Sequence, residues 1–157
     1  MKKASFLLVV DDINASRAFY ERVLFQEVIF DFGANIVLSG GFALQAKDVW
    51  CEFISASEDE ILKNTKNMEV YFEEDDFEAF FTHLKTCDDI IYVHDAREYP
   101  WGQRVVRLYD PDQHIIEVGE SMESVARKLS KQGLSLEEVA ELTQHPIEFV
   151  KASLRME

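Results

Sequence analysis

Apolar residues recur along the chain with a period that changes several times, and each change predicts an element. Residues 4–10 (ASFLLVV) are a short apolar run with β-branched content, which predicts a strand buried on both faces. Asp11 and Asp12 end it. From Asn14 to Leu24 the apolar residues Ala15, Ala18, Phe19 and Val23 share one helical stripe, with Asp12 or Asn14 available as N-cap. FQEVIFDF (25–32), NIVLS (35–39) and GFALQ (41–45) follow as short strands separated by Gly33 and the Gly40-Gly41 pair. The order is β-α-β-β-β. Residues 47–66 read as a polar connector carrying a short helix, and Val49, Trp50 and Phe53 predict that it packs on something.

The same order then restarts. MEVYF (68–72) is a strand, Glu73 to Asp76 an acidic stop, and Phe77, Phe80, Phe81 and Leu84 occupy i, i+3, i+4 and i+7 of a helix. IIYVH (90–94), a Pro- and Gly-bearing loop AREYPWG (96–102), QRVVRLY (103–109), the Asp110-Pro111-Asp112 turn and HIIEV (114–118) complete a second β-α-β-β-β unit. This internal repeat has one apolar sheet face per copy, too little to stand alone, so the two copies should pair to close a core. Beyond Gly119 the chain is helical in pattern: SMESVARKL (121–129), then SLEEVAELT capped by Ser135, then PIEFVKASL opened by Pro146.

Composition narrows the function classes. With 30 acidic against 16 basic side chains the formal charge is −14, which repels phosphate backbones and anionic membranes. Residues 1–120 carry nearly all of it, 24 acids against 11 bases, and the step to 6 against 5 over 121–157 marks a boundary. Cys51 and Cys87 form no metal-knuckle or disulfide pattern, and FLLVV after Lys2 and Lys3 is too short for a signal or a membrane span, so a cytoplasmic protein is expected. Gly-rich phosphate loops, nucleophile elbows and calcium-loop spacing are absent.

Two motifs carry a family resemblance. DINASRAFYERVL (12–24) resembles the Asp-to-Phe-Tyr signature of the vicinal oxygen chelate superfamily, which unites glyoxalases, bleomycin resistance proteins and extradiol dioxygenases. PWGQRVVRLYDPDQHIIEV (100–118) is similar to that superfamily's Trp-Gly turn, Asp-Pro turn and final strand. The resemblance implies an α+β fold in which two βαβββ modules, about 4–46 and 67–119 within a domain of residues 1–120, form curled mixed sheets around a cleft. Residues 121–157 are then a C-terminal helical extension. It also implies a divalent metal in the enzymatic members. Their ligand positions correspond here to Ser5, Gln45, Glu69 and Glu117, with no imidazole among them, so no metal or other cofactor is expected. The nearest branch by charge and lost His is the metal-free bleomycin-resistance-like one.

On that resemblance the cleft candidates are Phe42, Trp50, His94, Glu98, Tyr99, Trp101, Arg104, His114 and Glu117. Aromatic rings beside carboxylates favour cations, so the chain is expected to be a small-molecule binding protein sequestering a cationic or aromatic ligand. A metal-dependent lyase, isomerase or dioxygenase with an atypical ligand set is the alternative, and whether the protein is an enzyme stays open. A homodimer is expected, because curled sheets leave edges to cover. The tail resembles short helix-turn-helix words, but its last helix sets Lys151 and Arg155 against Glu148 and Glu157. Nucleic acid is therefore not an expected partner, and a helical hairpin covering a sheet or dimer surface is the reading kept.

Overall fold

Asp12 begins the first helix: its carboxylate accepts the backbone N–H groups of Asn14 and Ala15, which settles the cap on Asp12 and starts α1 (Ile13–Leu24) one residue later. This computed structural model describes residues 5–155, so Ala4 of the expected first strand, Lys2 and Lys3, and residues 156–157 of the tail lie outside the described residues. The first sheet contains β1 (Leu7–Val10), β2 (Val28–Asp31), β3 (Asn35–Leu38) and β4 (Ala43–Ala46) in the order β1-β4-β3-β2. β1 runs parallel to β4, while β2–β3 and β3–β4 pair antiparallel. β2 is shorter than its apolar run because Phe25 closes α1 in the left-handed region at φ 52°. Gln26 is then spent on the next turn, its Oε1 accepting from the Gly40 N–H at 2.7 Å.

The connector is more ordered than a linker. α2 (Lys47–Ile54) follows β4 without a gap, and a 3-10 turn at Glu58–Glu60 is held by a Ser57–Glu60 capping box.

The second sheet repeats the first. β5 (Glu69–Glu74), α3 (Phe77–Leu84), β6 (Ile91–Glu98), β7 (Arg104–Tyr109) and β8 (Ile115–Glu120) give the strand order β5-β8-β7-β6. β6 continues four residues past the apolar run, so Ala96 to Glu98, expected from the sequence to be loop, are strand. The turn contracts to the hairpin in which Tyr99 N–H bonds Gln103 O and Gly102 sits at φ 83°. Side chains alternate across a strand, and Arg104 reaches Glu78 of α3 at 2.7 Å. The 104-106-108 face of β7 is therefore the helix-covered one, and Arg107 belongs to the opposite face.

The described chain divides into two compact units, one of residues 1–69 with 109–115, the other of 70–108 with 116–157. In the first, Tyr20 and Phe42 are fully buried and their rings meet edge-on at 5.4 Å. The 109–115 segment is tied into this unit by Asp110, whose carboxylate is fully buried. Its Oδ1 accepts the Asp112 and His114 N–H groups at 3.0 and 2.8 Å, and its Oδ2 accepts from Tyr20 Oη at 2.9 Å and His114 Nδ1 at 2.8 Å. Four donors replace the water such a charge gives up. Burial, and then Asp110 itself, push the Tyr20 phenol well above its ordinary pKa, so it stays a donor. Asp112 adds Oδ1 to the Asp11 N–H at 3.0 Å and Oδ2 to Ser16 Oγ at 3.2 Å.

In the second unit the tail is part of the packing. α4 (Met122–Lys131), α5 (Leu136–Thr143) and α6 (Ile147–Leu154) share a core of Met122, Val125, Ala126, Leu129, Val139 and Val150, with Trp101 packed against it. Lys128 Nζ donates to Gly102 O at 2.8 Å, and a Cβ at Gly102 would stand 3.3 Å from Val125, so α4 presses directly on the β6–β7 turn. No described helix is long and apolar enough to cross a membrane.

Three outcomes follow for stability. Tyr20→Phe, which strips one donor from the buried Asp110 carboxylate, should cost about 1–3 kcal/mol in urea unfolding, with little change in slope. Leu129→Ala should cost about 2–5 kcal/mol by emptying the tail core, and truncation after Glu120 should lower the melting temperature. Unchanged melting of the truncated chain would show that the tail packing is energetically idle.

Candidate functional site

The polar face of the second sheet, the one turned away from α3, gathers side chains around one guanidinium. Arg107 donates through Nη1 to Tyr99 Oη at 2.8 Å and to His94 Nε2 at 3.2 Å, and its Nη2 pairs with Glu117. His94 Nδ1 lies 2.8 Å from the Asp95 carbonyl. A carbonyl only accepts, so Nδ1 carries the proton and Nε2 is the acceptor for Arg107. Glu117 is buried in the middle of β8, where an unpaired carboxylate would be costly, and Arg107 supplies the compensating charge.

A second chain of hydrogen bonds borders this cluster. Trp101 Nε1 donates to Gln103 Oε1 at 2.9 Å, Gln103 Nε2 donates to Tyr71 Oη at 3.1 Å and to Glu120 O at 2.9 Å, and Tyr71 Oη donates to Glu73 at 3.1 Å. Gly119 makes this possible, since a Cβ there would fall 2.8 Å from Gln103 Nε2 and 3.0 Å from the Tyr71 ring. Burial pushes the Tyr71 phenol up to about 12, against the pull of the Gln103 hydrogen bond. Trp101 also stacks on Tyr99 with ring centroids 4.7 Å apart.

Of the residues singled out in the sequence, His94, Tyr99 and Glu117 meet at Arg107, with Trp101 beside them. Glu98 is an exposed strand residue whose carboxylate lies 3.8 Å from Lys128 Nζ. Arg104 falls on the helix-covered face, between Glu120 and Glu78 and over the Phe77 ring, because three residues of strand separate it from Arg107 and reverse its side. Burial pushes Glu120 up, but Arg104 and Lys128 outweigh it and hold its carboxyl below the ordinary value. The remaining three lie in the first unit. Phe42 is a core residue stacked on Phe6 at 5.4 Å, Trp50 is half-buried on α2, and His114 is bound to Asp110. Arg107, Tyr71 and Gln103 were missed by the sequence reading. In the sequence Arg107 is one of two arginines in the otherwise largely apolar run RVVRLY.

The donor set does not fit the divalent metal that the superfamily's enzymes use. Ser5 is exposed and donates its hydroxyl to Gly41 O at 2.9 Å. Gln45 is buried with its Oε1 accepting from Asn35 and its Nε2 donating to Ala34 O, both at 3.0 Å. Glu69 is exposed at the start of β5, and Glu117 is already matched by a guanidinium. Among the described residues no group of three or more His, Cys, Asp and Glu side chains is arranged to hold an ion. A cation at Glu117 would have to displace or sit against Arg107.

Arg107→Met should destabilise the fold by about 3–5 kcal/mol by stranding the buried Glu117 charge, whereas the Arg107→Met/Glu117→Leu pair should recover most of that loss. Equal destabilisation by the single and the double variant, in chemical denaturation, would contradict the pairing.

A family model for the glyoxalase-like domain matches residues 3–123. No curated protein matches the chain. Similar solved structures include a protein of unknown function from Agrobacterium tumefaciens str. C58, 34% identical over 77% of this chain and 94% of that one, with a TM-score of 0.67. A glyoxalase-related enzyme from Fulvimarina pelagi is 18% identical over 77% of this chain and 89% of its own, at a TM-score of 0.62. A lactoylglutathione lyase from Agrobacterium tumefaciens is 20% identical over 77% and 95%, at 0.54. At that identity the last two show the fold alone. The 34% identity, the matched domain model and the repeated β-α-β-β-β sheets agree, and the chain belongs to the glyoxalase-like domain family of the glyoxalase/bleomycin resistance/dioxygenase superfamily.

Proposed function

We propose that the protein binds a small aromatic molecule on the polar face of its second sheet, without a metal, in the manner of the ligand-sequestering rather than the metal-dependent members of the superfamily. The observation that carries this is the convergence of His94, Tyr99 and Glu117 on Arg107. It presents aromatic and hydrogen-bonding groups on a rigid strand face while cancelling the charge of the buried acid. Of the two ligand classes expected from the sequence, cationic and aromatic, the cancelled charge at Glu117 favours the aromatic one at this face. Tyr71, half of whose surface is open to solvent, and Tyr99 supply the ring surfaces, and such contacts favour offset or edge-on stacking.

The test is equilibrium binding of 1-naphthol to the full-length protein, followed by tryptophan fluorescence in the presence of EDTA. Saturable binding that survives chelation and weakens roughly three- to tenfold in Tyr99→Leu, the worth of an aromatic pair, is the expected result. Binding or turnover that appears only after one equivalent of a divalent ion is restored would favour the metal-dependent lyase, isomerase or dioxygenase reading instead.

A further inference from the structure

The family domain ends at residue 123, and α5 lies wholly beyond it. Between the β6–β7 turn and α5 is a groove of ≈ 480 Å³, within the range of small-molecule sites. Its apolar walls are Pro100, Trp101, Leu134 and Leu142, and its acidic rim is Glu138 and Glu141. The two carboxylates are three residues apart on one helix and so share a face.

The charge at this rim differs from that on the sheet face. Glu117 is neutralised by Arg107, whereas Glu141 forms no ion pair among the described residues. Glu138 accepts the Ser135 N–H at 2.8 Å in the capping box of α5. That hydrogen bond, followed by the one with the Ser135 side chain, holds the Glu138 carboxyl below its ordinary value and so favours its carboxylate form. Trp101 is fixed by its stack on Tyr99, its Nε1 bond to Gln103 and its packing on the tail core, and therefore offers a preorganised aromatic wall beside them.

From this groove we infer a second binding site, built by the C-terminal extension, for a small organic cation with an aromatic or alkyl body. The body lies against Trp101, Leu134 and Leu142, and the cationic head lies at Glu138 and Glu141. An aromatic wall and two carboxylates act on the same charge, by cation–π attraction and by ion pairing. An anion of the same shape meets only repulsion. The site does not rest on the sheet-face reading: its polar groups are on α5, and Arg107 and Glu117 take no part.

The experiment uses the full-length protein labelled with 15N, in which Trp50 and Trp101 give the two indole signals and Trp50→Phe assigns them. Benzyltrimethylammonium is titrated as the probe and benzenesulfonate as its anionic counterpart. The expected result is a saturable shift of the Trp101 indole signal with the cation and none with the anion. Glu138→Gln/Glu141→Gln should weaken the cation's affinity about tenfold, the combined worth of two exposed ion pairs. Gln at position 138 keeps the capping box, so the double variant should melt like the wild type. Equal response to both probes or undiminished affinity in the double Gln variant would each overturn the site.

Discussion

A carboxylate with no access to water has to be given its hydrogen bonds by the protein, and Asp110 imposes that condition on the first unit. All four of its acceptor positions are filled: two by backbone N–H groups of its own turn, one by Tyr20 from the middle of α1 and one by His114. Tyr20 is 90 residues away in sequence, so the bond fixes a distant turn to the first helix. Asp112 continues the arrangement with Asp11 and Ser16. The segment 109–115 consequently groups with the first unit although the chain on both sides of it groups with the second. The Asp-Pro-Asp turn is thus a structural anchor of the first unit.

The second unit meets the same electrostatic requirement in a different way. Glu117 and Glu120 are both buried on β8, three residues apart and hence on opposite faces. Each receives an arginine from β7, Arg107 on the polar face and Arg104 on the helix-covered face. The strand pair is in effect a two-sided charge ladder, and the polar face can remain rich in hydrogen-bonding groups without an uncompensated charge. The last-strand acid that would bind an ion is held by a cation of the protein's own.

The tail changes what the family domain can present. In isolation the β6–β7 turn would expose Trp101, a large aromatic that water tolerates poorly. α4 and α5 instead pack against it, with Lys128 on the Gly102 carbonyl. The same contact gives the turn a second neighbour, the acidic face of α5, and turns a surface aromatic into the wall of a groove.

Element order, the repeat, the helix cap at Ser135 and the family were all legible in the residues, because they depend on local periodicity and on short motifs of fixed spacing, whereas the first cap was narrowed only to Asp12 or Asn14. The candidate site was only partly legible. His94, Tyr99 and Glu117 follow from the family pattern, but Arg107, which joins them, belongs to no motif that would single it out. Phe42, His114 and Arg104 carry the right chemistry and were drawn elsewhere, into the core, to Asp110 and to the helix-covered face. What the sequence determined by itself is which residues are apolar, which can cap and where the turns fall. Which of two opposite faces a charge occupies, and which partner neutralises it, was decided only by the tertiary structure. Those depend on the register in which the apolar run RVVRLY pairs with its neighbours, and a slip of one residue in that register reverses every side chain.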